Sequence, residues 1–185
     1  MDAGDNGVVF YVMQVVTVLL ASLSMSMALA HALEFPGKMR LDKDAYLATQ
    51  SIYYPGFTFG GAAEPLSIFA TFVLLWLTRS SPSTFCCTLI AFLALLIMHA
   101  IFWTITQPVN RFWLKNQPLN RLGRKFFSAK PVSQQPEQSE ANGENWESMR
   151  DRWEYSHLVR AGLSVVALIA LTIALALGPR TGQLS

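Results

Sequence analysis

Four long apolar stretches alternate with polar ones along the chain, at about 8–32, 59–78, 83–106 and 155–178. Each is long enough to cross a membrane, which takes about 20 mostly apolar residues. The pattern predicts an all-α protein, a transmembrane four-helix bundle in up-down-up-down order, with residues 1–185 forming one membrane domain. The first stretch follows the acidic "MDAGDNG" and outruns the apolar core of a signal peptide, so it reads as a retained helix. A tight turn at 79–83 joins helices two and three. The connection 35–58 is expected to hold a short helix in "LDKDAYLATQSIYY". Between helices three and four, residues 116–150 include the segment "AKPVSQQPEQSEANGEN", which has no apolar period. They are expected to form a mobile loop.

Composition agrees with this reading. Apolar residues make up 52% of the chain and charged residues 14%, with a mean hydropathy of +0.32; globular chains carry about 25% charged residues. The net charge of +2 decides nothing, but its distribution does. Eleven of the fourteen Lys and Arg lie in the first and third connections: Lys38, Arg40, Lys43, Arg111, Lys115, Arg121, Arg124, Lys125, Lys130, Arg150 and Arg152. The positive-inside rule then makes loops 33–58 and 107–154 cytoplasmic and puts both termini on the non-cytoplasmic side of a multi-pass protein. Lipid headgroups account for the basic loop, and no nucleic-acid motif is present. Adjacent Cys86 and Cys87 give neither a disulfide framework nor a CxxC motif, and read as small residues facing lipid or a helix.

The ionisable residues gather at one level. Each of the three histidines sits in a different span: His31 late in the first, His99 late in the third, His157 early in the fourth. Glu64 opens the second. His31 precedes Glu34 in "HALE", and Glu154 precedes His157 in "EYSH". Alternating topology brings His31, Glu34, Glu64, His99, Glu154 and His157 to the same, cytoplasmic end, with Arg160 deeper on helix four. Ionisable groups inside a membrane are costly and mark functional sites.

An i,i+3 carboxylate–imidazole pair can direct both groups to a common centre, as Glu-x-x-His does in di-iron bundles. The six residues are therefore candidate ligands for one or two non-haem metal ions (iron, copper, manganese or zinc). The chain departs from the di-iron pattern, offering three His and three Glu, with one pair in reversed order. Haem held by two histidines is a further reading, for which the carboxylates are harder to explain. Two metal-free readings stay open. One is a catalytic or ligand pocket in which a His or Glu takes a proton from a phenolic substrate. The other is a structural cluster in which Glu64 pairs with Arg160. Pro108 is expected to end or kink helix three, leaving Gln107, Asn110 and Arg111 over the mouth of the bundle. Trp103, Trp113, Trp146, Trp153, Tyr53, Tyr54 and Tyr155 crowd the same side, as an interfacial belt or as the walls of a pocket for a flat aromatic molecule.

The segments "AHALEFPGKMRL", "GGAAEPL", "TQPVNRFW" and "RDRWEYSHLVRAGLSVVAL" resemble, in this order, the small four-helix membrane proteins related to fungal anthrone oxygenase. The resemblance spares only the N-terminus and the long loop. Its most specific parts are "PVN" after helix three and Trp153, His157 and Arg160 on helix four. It implies a membrane oxygenase acting on a hydrophobic, oxidisable substrate, with His157 and Asn110 as functional positions. Joined with the cluster, it leads to an integral membrane oxidoreductase, an oxygenase of an aromatic or quinol-like substrate. In this reading His157, Asn110 and Arg160 are the catalytic set. The competing reading is a non-catalytic accessory subunit of a larger membrane complex, its polar cluster structural or in contact with a cofactor. A transporter is disfavoured, because polar groups at one end make no continuous path. Expected partners are membrane lipid, a hydrophobic small molecule and a homo- or hetero-oligomer in the membrane, not nucleic acid.

Overall fold

The computed structural model describes residues 3–53, 55–113 and 146–178, with side chains at 7–53, 55–111 and 146–178. Helix α1 spans Ala3–Lys38. Two short helices follow, α2 (Lys43–Gln50) and α3 (Gly56–Gly60), separated by a 3-10 turn at Ser51–Tyr53. Next come α4 (Ala63–Leu77) and α5 (Pro82–Ile101). A π-helical turn at Phe102–Thr106 carries α5 into α6 (Gln107–Trp113), and α7 runs Trp146–Leu177. Four segments are long and apolar enough to cross a membrane: Gly7–Lys38, Gly56–Leu77, Pro82–Arg111 and Trp146–Leu177. Among the described residues every regular element is helical. The transmembrane four-helix bundle is as expected.

α7 packs against α1 and α5, and α4 packs against the same two helices on the other side, so α4 and α7 face each other across the diagonal. The interior is built of small side chains. Ala21, Ala28, Ala91, Ala94, Ala167, Ala170 and Ala174 are buried, with Ser67, Thr71, Thr88 and Ser164 among them. Large apolar residues such as Leu19, Phe69, Trp76 and Ile169 point outward. Lipid is as apolar as leucine, so burying leucine gains little; small residues let the backbones approach. The buried hydroxyls return to their own helix, as Thr71 Oγ1 does to the Ser67 carbonyl at 2.6 Å and Thr88 Oγ1 to that of Thr84 at 2.8 Å.

The structure corrects two sequence boundaries. Residues 146–150, expected within the mobile loop, are the first turn of α7. Trp146, Met149 and Trp153 share a stripe at helical spacing and pack around Tyr46 of α2, which explains the early start. The rest of that loop lies outside the described residues. Helix three also continues past Pro108, the residue expected to end or kink it, after a π turn at Phe102–Thr106. The π turn lets the Gln107 N–H reach back to the Phe102 carbonyl. Pro108, lacking an N–H, leaves the Thr104 carbonyl without its i+4 donor, and Arg152 Nη2 of α7 donates to that carbonyl at 3.3 Å. The short helix expected between spans one and two is α2, its first turn capped by Asp42, whose Oδ1 accepts from the Ala45 N–H at 2.9 Å.

Candidate functional site

The expected cluster divides into two linked networks at the loop-bearing end of the bundle. The inner one crosses the diagonal. Glu64, at the start of α4, accepts from Arg160 Nη2 of α7 at 2.6 Å through Oε2 and from His99 Nδ1 of α5 at 2.9 Å through Oε1. The Trp103 indole N–H donates to His99 Nε2 at 2.9 Å. An indole only donates, so the other nitrogen, Nδ1, carries the hydrogen of a neutral His99. Here is the Glu64–Arg160 pair that the sequence suggested. The π turn brings Trp103 over His99, one turn of helix away.

The outer network caps the bundle. Glu34 lies 2.9 Å from Lys38 Nζ and accepts the Tyr53 hydroxyl at 2.5 Å. Glu154, wholly buried, accepts the Tyr46 hydroxyl at 2.9 Å and lies 3.6 Å from Lys38 Nζ. Lys38 was counted with the headgroup-facing cations, yet it is buried, its ammonium against the faces of Tyr53 and Trp153. Burial first, and Glu154 second, hold the Tyr46 phenol well above its usual range. Burial and the bond to Glu34 do the same for Tyr53, so both remain neutral donors.

Between the networks sit His31 and His157, their rings edge to face with centroids 4.4 Å apart. His157 Nδ1 lies 2.9 Å from the Trp153 carbonyl. A carbonyl only accepts, so Nδ1 carries the hydrogen of neutral His157 and Nε2 keeps the lone pair. The Trp153 ring packs 4.0 Å from His157 and 5.0 Å from His31, and its N–H donates to Asn110 Oδ1 at 2.7 Å. Asn110 thus fixes the Trp153 indole, and the Trp153 backbone carbonyl fixes the imidazole. Gln107 is buried beside it, its Oε1 3.3 Å from Asn110 Nδ2, whereas Arg111 is exposed.

A cavity of about 330 Å³ opens among these groups, within the usual size range of small-molecule sites, about 300–1,000 Å³. His31, Glu64, His99, Asn110, His157 and Arg160 lie on its wall; Glu34 and Glu154 do not. Phe57, Phe102 and Trp153 give it aromatic faces. Three wall residues carry a buried polar atom with no hydrogen-bond partner, Ser24 Oγ, Gln50 Nε2 and Arg160 Nε, and a fourth, His31 Nδ1, faces Glu34 Oε2 at 3.6 Å. Such atoms are rare in native interiors and point to an occupant that satisfies them.

The six expected ligands fall in the two networks and in the space between them. The carboxylates of Glu64 and Glu34 are arranged around the chain's own cations, Arg160 and Lys38, and among the described residues no three of His, Cys, Asp and Glu are grouped to share an ion. The contact between His31 and His157 leaves no room for a porphyrin plane between their rings. Of the expected aromatic belt, Trp103 and Tyr155 face outward, Trp153 is buried, and the Tyr54 and Trp113 side chains lie outside the described residues. Cys86 is exposed and Cys87 half-buried on α5, as expected of residues facing lipid or a helix. Sequence reasoning passed over Lys38, Tyr46, Gln50 and Ser24. The spacing of His31, Glu34 and Lys38, which places all three on one face of α1, was a usable signal.

Four helices long and apolar enough to cross a membrane, packed as a bundle with a largely apolar, aromatic-walled cavity at one end, are the architecture of a multi-pass membrane protein. The chain belongs to the anthrone oxygenase family, whose model matches residues 50–170. That range holds Glu64, His99, Asn110, Trp153, His157 and Arg160, while His31 and Glu34 of α1 precede it. No curated protein and no solved structure matches the chain at a significant level.

Proposed function

We propose that the protein is a membrane oxygenase that converts the activated methylene of a flat, hydrophobic, oxygen-bearing aromatic compound to a ketone. The reaction is Ar2CH2 + O2 → Ar2C=O + H2O. Two C–H bonds break, the substrate gives up four electrons, and dioxygen takes them. The observation that carries this reading is the cavity itself. Its aromatic walls suit fused rings, and the unpartnered polar atoms of Ser24, Gln50 and Arg160 suit ring oxygens. A structural polar cluster in an accessory subunit would need neither.

His157 Nε2 takes the first proton. The resulting carbanion is delocalised onto a ring oxygen, which Arg160 holds, with its guanidinium oriented by Glu64. Dioxygen adds to the carbon, His157 returns its proton to give a hydroperoxide, and loss of water leaves the ketone. Asn110 is a positioning residue, acting through Trp153 on His157. No step requires a metal ion, and the pairing of Glu64 and Glu34 with internal cations favours that reading.

The test is oxygen uptake by the purified protein with a three-ring arylmethylene ketone, and the same assay on His157→Gln. A positioned base contributes roughly 10²–10⁴-fold. The variant should lose kcat by that factor with KM little changed. A helical, monodisperse His157→Gln protein within threefold of wild-type kcat would refute the assignment.

A further inference from the structure

We propose that the cavity opens sideways into the bilayer, and that its substrate arrives from the lipid phase through a window between the α3–α4 corner and the π turn. This deepens the function proposed above and rests on it for the identity of the substrate, though not for the window itself. Of all the residues on the cavity wall, four are exposed: Gly61, Ala62, Pro65 and Trp103. They do not scatter. Three belong to the corner that begins α4, and the fourth to the π turn that ends α5.

The surroundings of the window are apolar. Phe59, Leu66 and Phe69 flank it, each more than half exposed, and both of its edges lie inside segments apolar enough to span the membrane. The opposite direction, toward the loop-bearing end, is covered by described residues. There α2 and the 3-10 turn lay Tyr46, Gln50 and Tyr53 over the bundle, with Trp153 and Lys38 beneath them. A molecule that partitions into hydrocarbon meets the window first and crosses no water.

Both edges have features suited to passage. On one side the chain bears no bulk, being Gly60–Gly61–Ala62. A Cβ added at Gly60 would come within 2.9 Å of Met27 Cε on α1, so α3 sits close against the wall there and a side chain would push Met27. The other edge is Trp103, 45% exposed, its indole N–H bonded to His99 Nε2. π turns recur at functional sites, and this one places a single indole both on the lipid-facing surface and on the cavity wall.

The test uses Ala62→Cys with Cys86→Ser and Cys87→Ser, spin-labelled in detergent and reconstituted into phosphatidylcholine vesicles. Collision with dioxygen, which concentrates in lipid, is compared with collision with a water-soluble nickel chelate. Dominant oxygen accessibility supports the window. Dominant nickel accessibility makes the opening aqueous and overturns it, and inaccessibility to both means the corner is covered, which overturns it as well. A second arm narrows the window with Leu66→Trp, at an exposed position that flanks it and is not on the cavity wall. Mutants of one binding route vary in association rate over about 1–3 decades. The expected result is a fall in kcat/KM of at least about tenfold with kcat retained at saturation. An unchanged kcat/KM would overturn the route. If the labelling result holds while the wild-type protein oxidises no arylmethylene substrate, the functional reading fails and the window stands.

Discussion

Replacing Glu64 by Gln separates a charge effect from a hydrogen-bond effect. The substitution keeps the shape of the side chain and one acceptor oxygen, and removes the charge that faces Arg160 at 2.6 Å. Arg160 and Glu64 are both buried, so the guanidinium would be left uncompensated where water does not reach. Removing one member of a buried ion pair costs about 3–5 kcal/mol. Losing an ordinary interhelical hydrogen bond in a membrane protein costs about 0.6 kcal/mol on average and about 1.7 at most. The two ranges do not overlap, so the measurement discriminates. At about 1.4 kcal/mol per tenfold, Glu64→Gln should shift the unfolding equilibrium roughly 10²–10⁴-fold, read by circular dichroism during dodecyl sulfate titration in mixed micelles. Glu64→Gln combined with Arg160→Met removes both charges and should recover most of the loss, with a coupling energy of several times RT. A loss below about 1 kcal/mol, or a double variant no more stable than the single, would show that the pair does not tie α4 to α7.

Asn110→Ala leaves the buried Trp153 indole N–H without its acceptor, at a cost of about 1–3 kcal/mol. It should lower kcat more than it raises KM, and Asn110→Asp, which still accepts, should restore the Trp153 emission; a pure KM effect would contradict the positioning role. Tyr46 and Tyr53 are held protonated in the fold, whereas unfolded tyrosine ionises near pH 10. Their contribution to stability is complete below about pH 10 and lost as the pH rises above it. Phenolate absorbance of these two should therefore appear together with unfolding, and Tyr46→Phe should remove one of the two titrating groups; early, independent ionisation of both would refute their burial. Elemental analysis after purification without chelator should find substoichiometric metal. Stoichiometric iron, copper, manganese or zinc that is lost in His99→Ala would overturn the metal-free mechanism.

Much of the architecture was legible because membrane helices declare themselves by length and apolarity, and alternating topology then sets depth. Those two rules alone brought His31, Glu64, His99, His157 and Arg160 to one end and left a Glu64–Arg160 pair as one of the open readings. Depth does not give azimuth. Whether Glu34 and Glu154 face the cavity or the cap depends on helix rotation and on what α2 places against them, and neither is written in the local pattern. Lys38 misled for a related reason: a lysine at a helix end normally reaches for headgroups, and only the two carboxylates and two rings that α1 itself, α7 and the 3-10 turn supply make its burial tolerable. The early start of α7 was hidden because charged residues between Trp146 and Trp153 masked the apolar stripe that binds Tyr46.

The π turn at Phe102–Thr106 also has a consequence for how the chain can vary in length. A π turn holds one residue more than the α-helical path it replaces, and one residue is worth about 100° of rotation in an α-helix. Everything C-terminal to the turn is therefore read in a different phase from α5. Deleting any single residue within it would restore a regular helix and leave the span long enough to cross the membrane. It would also swing Asn110 about a quarter-turn away from the Trp153 indole. The site is therefore intolerant of a one-residue change in length at this point.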